Sequence, residues 1–240
     1  MTGRLFAGRG GSILSGMSRN PFDPTLDRLP RILPIFPLAG VLLLPRARLP
    51  LNVFEPRYLA MVEDAMGSGR MIGIIQPTDP ASRDRNPPVY ETGCAGRITS
   101  FAETDDGRFL ITLTGVSRFV IHREMEGVRG YRRVVPAWDR YAADLDSDAG
   151  PAEGAVDRGR LLAGLKLYFQ LQGLSCDWHA IETTPDERLV NSLAMICPFA
   201  PSEKQALLEA PDLTERGKLL IALIEMSILD GTGDCAPPRH

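Results

Sequence analysis

The chain has 240 residues, 44% hydrophobic and 24% charged, with a formal net charge of -3; this composition can bury one large core or two modest ones and excludes disorder along the whole length. The longest uncharged apolar run, Ile32 to Pro45, is 14 residues with internal prolines, short of the roughly 20 that span a bilayer. A globular chain with no transmembrane helix and no membrane partner is expected.

Residues 1 to 28 read as a weakly ordered tail. Up to Phe22 they carry three arginines, many glycines and serines and no acid, but Leu5, Phe6, Ile13 and Leu14 make no sustained amphipathic stretch, which sets an organelle transit peptide aside. Met17 offers an alternative start ahead of the folded part.

From Leu33 to Tyr58 the sequence is LPIFPLAGVLLLPRARLPLNVFEPRY, in which Pro34, Pro37, Pro45, Pro50 and Pro56 cut an apolar run into short pieces. Such pieces suit edge strands and turns and are too short for helices. Pro56 fits the first helical position, where its missing N–H costs nothing, and it holds Glu55 extended at the end of a strand over Leu51 to Phe54. Tyr58, Leu59, Met61, Val62, Ala65 and Met66 then share one helical face, and Gly67 and Gly69 supply a stop.

Further on, strands are expected at Met71 to Gln76 and Tyr131 to Ala137, with a hairpin between them. Arg97 to Thr104 and Arg108 to His122 flank Asp105-Asp106-Gly107, a turn that tolerates positive φ. Phe109, Ile111, Leu113, Phe119 and Ile121 fall on one face of the second strand, Arg108, Thr112, Thr114, Arg118 and His122 mainly on the other, and Gly115 marks a bend or bulge.

Charge divides the chain. Residues 31 to 140 carry 15 arginines and 12 acids, net +3, whereas residues 141 to 240 carry 8 basic and 16 acidic residues, net -8. A mostly β unit over 29–141, an acidic Gly/Pro-punctuated linker over 142–154, a helical unit over 155–232 and a tail over 233–240 are therefore expected. In the helical unit, Leu161, Leu162, Leu165, Tyr168, Phe169 and Gln172 mark one stripe ending at Gly173, and Leu189, Val190, Leu193, Ala194 and Cys197 another. Thr184, Ser202 and Asp212 each precede Glu or Gln by three positions, the spacing of a capping box. The last helix, to Leu229, is apolar on nearly every side, as fits a bundle's centre or a contact with another chain.

Cys94, Cys176, Cys197 and Cys235 are too widely spaced for a zinc knuckle. They read as reduced thiols of a cytoplasmic protein. Cys176 and His179 form one C-x-x-H pair without a second, so no metal and no cofactor is expected.

The proline-segmented block resembles the opening of the N-terminal, substrate-binding domain of Lon proteases, in the form where that domain stands alone in a short bacterial protein. GCAGRITSF from Gly93, DGRFLITLTGVSRF from Asp106 and CPFAPSEKQALLEAPDLTERGKLLIALIEM from Cys197 resemble later blocks of that domain, in order, over about residues 29 to 230. The resemblance implies an α+β fold, a PUA-like β-barrel followed by a C-terminal helical bundle, and recognition of unfolded or degradation-prone polypeptide. Protein quality control is the implied setting, with a protease or chaperone and a second copy of the chain as the further partners it admits.

The chain carries no G-x-x-x-x-G-K-[ST] loop, H-E-x-x-H or G-x-S-x-G motif, and no serine in a context resembling the Lon nucleophile. Lys166, Lys204 and Lys218 all lie on expected helices. No catalytic residue is assigned, and a non-enzymatic binding role is expected. Glu55 and Arg57, at the strand-to-helix junction, could clamp a peptide terminus, although a structural ion pair is the favoured role. Tyr58 could line a peptide groove, with core packing favoured. Arg97 and Arg118, on adjacent hairpin strands, could hold a carboxylate or phosphate bidentately. The alternative to polypeptide is RNA, since PUA-like barrels can bind it; a net +3 without a lysine cluster or interleaved aromatics ranks nucleic acid lower. A ligand-binding sensor is a third class, for which no motif speaks.

Overall fold

The computed structural model describes residues 25–146, 154–171 and 177–233. Most of the N-terminal tail, the middle of the acidic linker, the expected helix stop at Gly173, Cys176, Cys235 and the C-terminal tail lie outside the described residues. Six strands and six α-helices are described: β1 Leu33–Pro37, β2 Arg48–Val53, α1 Pro56–Gly67, β3 Met71–Ile75, β4 Thr92–Glu103, β5 Phe109–Val128, β6 Tyr131–Ala137, α2 Arg158–Leu171, α3 Trp178–Thr183, α4 Asp186–Ile196, α5 Pro201–Glu209 and α6 Leu213–Gly233.

The strands form one mixed sheet in the order β2-β5-β4-β3-β1-β6, and β6 pairs back onto β5. Only β1 and β3 run parallel among the described pairs. The length of β5 permits the closure: residues 109–114 pair with β2 and β4, and residues 120–128 pair with β6. Inside the closed circuit lies a small core of Leu33, Ile35, Ile75, Phe119 and Val134. Gly73 and Gly93 leave room for the Phe119 ring, since a Cβ on either would stand within 2.9 Å of it.

The expected junction is present. Pro56 opens α1 behind an extended Glu55, and α1 ends at Gly67. Tyr58, Met61, Val62 and Ala65 are buried against the outer side of the sheet. The Asp105-Asp106-Gly107 turn closes with Gly107 N–H donating to Thr104 O at 2.9 Å, Gly107 adopting φ +78°. At Gly115 the register slips by one residue, Gly96 facing Gly115 and Ala95 facing Ser117, so Val116 is the extra residue of a bulge. A Cβ on Gly115 would lie 2.0 Å from Leu44 O; only glycine lets the Leu44–Pro45 backbone cross the strand there.

The helices and the sheet share one core that runs without a break from Phe36 and Leu113 to Leu165, Leu193 and Ile228. Within it α6 packs on α2, α4 and α5, with Leu220, Ile221, Leu223 and Ile224 buried, while Met226 and Leu229 toward its end are exposed. Of the stretch expected to link two units, Ala142–Leu145 belong to a 3-10 turn, Asp139–Leu145, that buries Tyr141 and Asp144 beside β5.

The helix starts differ from the expected capping boxes at two of three places. Asp212 does cap α6, accepting from Glu215 N–H at 2.9 Å. Thr184 instead donates its hydroxyl to Ala180 O at 2.6 Å, closing α3, and Pro185 precedes α4. At α5 the helix begins earlier than Ser202 suggests, because Pro201 takes the first position and Glu203 accepts from Ala200 N–H at 2.7 Å. Arg118, expected on the outer face with Thr114 and His122, is buried: at this point of β5 the helices and the 3-10 turn cover the second face as well.

Gly115→Ala should destabilise the protein by at least about 2 kcal/mol through overpacking against a backbone carbonyl. The urea midpoint reports it; an unchanged midpoint would mean that the Leu44–Pro45 crossing gives way without cost.

Candidate functional site

β2 is an end strand of the sheet order. Ala47 O accepts from Gly115 N–H at 2.8 Å, and Arg48, Leu49 and Pro50 face Thr114, Leu113 and Thr112 in turn. In an antiparallel ladder the backbone groups alternate in direction. Leu49, Leu51 and Val53 therefore bond to β5, whereas Arg48, Pro50 and Asn52 present theirs at the open edge. Pro50 has no N–H to offer, so the edge displays two donors and three carbonyls. Leu49, Leu51 and Val53 pack toward the core while Arg48, Pro50 and Asn52 are exposed.

Two grooves flank this edge. One, of about 550 Å³, lies between Arg46–Arg48 and α4, with Asn191, Met195 and Ile196 on its wall. The other, of about 530 Å³, lies on the outer face of β2, β5 and β4, lined by Pro50, Asn52, Ser100, Ala102, Leu110 and Thr112. Large apolar side chains stand near both: Ile196 is 75% exposed, Phe54 61% and Leu110 44%. Arg108 covers part of Phe54, its guanidinium 5.8 Å from the ring centre.

The residues singled out in the sequence are not all brought together. Glu55 and Arg57 pair with each other at 3.0 Å; Arg57 also donates to Arg85 O at 2.5 Å and lies 4.5 Å from the Tyr58 ring centre. Tyr58 is buried against Phe36, ring centres 4.1 Å apart, and burial raises its hydroxyl pKa. Arg97 sits opposite Thr114, whereas Arg118 sits opposite Cys94, so the two do not converge on one anion.

Arg118 already holds a carboxylate of its own chain. It meets Asp144 through Nε to Oδ2 at 2.9 Å and Nη2 to Oδ1 at 2.8 Å, with both side chains more than nine-tenths buried. Asp144 Oδ2 also accepts the Arg118 backbone N–H, and Arg118 Nη1 donates to Leu208 O and Ala210 O. Nearby, Arg216 donates to Leu207 O and Asn191 Oδ1; burial, followed by the Arg118 charge, pushes its pKa down to about 10. Burial also raises the Cys94 thiol pKa and pushes that of Cys197 up to about 11, so both are held as thiols. Among the described residues no cluster of His, Cys, Asp and Glu is arranged to hold a metal.

Sequence reasoning missed Arg48, Ile196 and Asp144. Arg48 and Ile196 gain interest only through which strand or helix lies beside them, and Asp144 lay within a stretch read as linker. The open edge and its grooves sit on a sheet-and-helix frame that known proteins share. Residues 32–226 match the family model described as the ATP-dependent protease La (LON) substrate-binding domain. The chain belongs to this family. Lon protease 2 of Myxococcus xanthus is 26% identical over 224 residues, covering 89% of the chain but 26% of that protein; Lon protease 2 of Sorangium cellulosum is 27% identical over 221 residues. The chain thus spans about a quarter of the length of the curated relatives it matches. Among solved structures, a Lon N-terminal domain protein from Xanthomonas campestris superposes with a TM-score of 0.53 at 26% identity, covering 80% of this chain and 97% of that one. The N-terminal domain of the Mycobacterium avium complex Lon protease shares the fold, with a TM-score of 0.55 at 17% identity, covering 85% of this chain and all of that one.

Asp144→Asn should lower the unfolding free energy by about 3–5 kcal/mol, because it strands the buried Arg118 charge. Combining it with Arg118→Met should recover much of the loss in the same denaturation assay. A double variant no more stable than Asp144→Asn would show that the carbonyl contacts of Arg118, rather than the charge pair, carry the effect.

Proposed function

We propose that this member of the LON substrate-binding domain family binds unfolded or degradation-prone polypeptide without performing chemistry on it, as a cytoplasmic component of protein quality control. The observation that carries the reading is the open edge of β2 with an apolar groove on either side. An extended client can add to the backbone of such an edge, which gives affinity with little demand on sequence, while Leu110, Phe54 and Ile196 offer contact to its apolar side chains. Exposed apolar side chains clustered around one edge mark an interaction surface more than scattered ones do.

The closed strand circuit supports reading the β unit as a PUA-like barrel, and the packing of α2, α4 and α5 on α6 supports a helical bundle behind it. The client-binding role extends what the family description says of substrate binding. A protease or chaperone would receive the client, and a second copy of the chain could dock through the acidic helical unit. Glu55, Arg57 and Tyr58 serve this site indirectly, by fixing the turn from β2 into α1.

Fluorescence anisotropy with a labelled unfolded peptide and with single-stranded RNA, each at two salt concentrations, tests the proposal. The peptide should bind with weak salt dependence, and Leu110→Ser and Phe54→Ser should each weaken it by about threefold to tenfold, as expected for losing one apolar contact. Tight RNA binding that falls steeply with salt, with no peptide bound, would replace this reading.

A further inference from the structure

Across three strands, one row on the face opposite Leu49, Leu113 and Ile98 reads Arg48, Thr114, Arg97, with Met71 of the inner core next in register. Both arginines are direct register partners of Thr114, and directly opposed residues point to the same face with Cβ atoms about 5 Å apart. The two guanidinium groups therefore flank one threonine from opposite sides, on stems roughly 10 Å apart, a gap that two arginine side chains can close onto one anion.

Among the described residues neither arginine has a counter-charge. No carboxylate of the described residues pairs with Arg48 or Arg97, although other arginines of β5, β6 and α2 hold one. Arg97 also carries a buried Nε with no acceptor, and it is the one charged side chain of the described residues in that state. A buried donor without an acceptor is costly, more so on a charged group. Two like charges across a single residue of a sheet also oppose folding. An anion seated between them would relieve the repulsion. The floor beneath it is polar, with Thr99 Oγ1 3.0 Å from Thr114 Oγ1.

The rest of this face indicates which anion. The next rows are Pro50, Thr112, Ser100 and then Asn52, Leu110, Ala102: uncharged, and the lining of the outer groove. A nucleic-acid backbone would need positive charge repeated along its path, and here it stops after one row. On the other side of Arg48 the edge ends, because the backbone turns at Arg46 with φ +65° and Arg46 Nε is tied to Glu187 of α4 at 2.9 Å. A polypeptide lying in that groove, over β2 and β5 rather than beside β2, would thus finish at the arginines, its last side chains over Leu110 and Pro50. We infer that Arg48 and Arg97 form a receptor for the terminal carboxylate of an extended polypeptide, which makes the groove beside the β2 edge selective for chain ends with apolar residues before them. This rests on the proposed reading of that edge as a polypeptide site.

The test compares three N-terminally labelled peptides by anisotropy: an apolar-ended peptide with a free C-terminal carboxylate, the same peptide amidated, and an amidated peptide with an internal glutamate. The free acid should bind about 10-fold more tightly than its amide, the scale of a charge-assisted bidentate contact. Arg48→Gln and Arg97→Gln should each bring that ratio to about 2 or below, leaving the affinity for the amide unchanged; Arg48 is exposed, so its variant carries the test even if Arg97→Gln does not fold. Equal binding of acid and amide by the unaltered protein would overturn the inference and leave polypeptide binding standing. An internal glutamate that substitutes fully for the free terminus would overturn the selectivity for chain ends. If none of the three peptides binds, the polypeptide reading fails and the carboxylate receptor with it.

Discussion

Asp144 and Arg118 meet where the sheet, the 3-10 turn and the α5–α6 loop come together, and the burial of this pair constrains everything around it. Removing two charges from water costs several kcal/mol for each, and their attraction offsets that only with good geometry and every remaining donor satisfied. The site meets the condition: the guanidinium is bidentate on the carboxylate, spends its remaining N–H groups on Leu208 O, Ala210 O and Pro211 O, and lies 4.1 Å from the Tyr141 ring centre. The α5–α6 loop can then sit in only one place on β5. Polar contacts between helices and strand loops extend that registration, Gln205 donating to Thr92 O, Lys204 to Gly40 O and Asn191 to Pro45 O. Apolar packing alone would tolerate sliding of α5 across the sheet; directional bonds to particular carbonyls do not.

Local rules made much of the fold legible. Proline spacing, Pro56 at a helix start, glycine after an aspartate pair and a mid-strand glycine each act through the backbone of a few adjacent residues, and α1, the β4–β5 turn and the bulge at Gly115 followed. What escaped was set by distant partners. Nothing near Arg118 in the chain says that α5 and a turn beginning at Asp139 will cover its face of β5, so strand alternation placed it in solvent. Thr184 and Ser202 have the spacing of caps, but prolines at 185 and 201 shift where the helices begin, and the neighbouring groups satisfy the backbone instead.

The same division explains the candidate site. Glu55, Arg57 and Tyr58 are close in sequence, and their mutual contacts could be anticipated from the junction they occupy. Arg97 was readable as a cation on a strand and was paired in the sequence with Arg118, whereas its neighbour across Thr114 was not readable. That β2 pairs with β5, and so carries Arg48 to the far side of Thr114, depends on a pairing across more than sixty positions of the chain. Charge balance along the sequence could not show it either, because the acids that neutralise other arginines come from separate elements, as Asp64 of α1 does for Arg129 after β5.

Pro50 joins the frame to the surface. An exposed strand flanked by apolar grooves invites other copies of the chain to pair with it, and natural sheets counter this with proline or charge on the edge. Here Pro50 removes the central donor of β2 while Arg48 places a charge at one end. A second β2 brought antiparallel against the first would set proline near proline and would gain little from the middle of the ladder. A client chain, on the proposed reading, keeps the outer bonds at Arg48 and Asn52 and places its side chains in the grooves. An edge blunted at its centre thus discriminates against self-association more than against short extended guests, which is the balance the proposed polypeptide site requires.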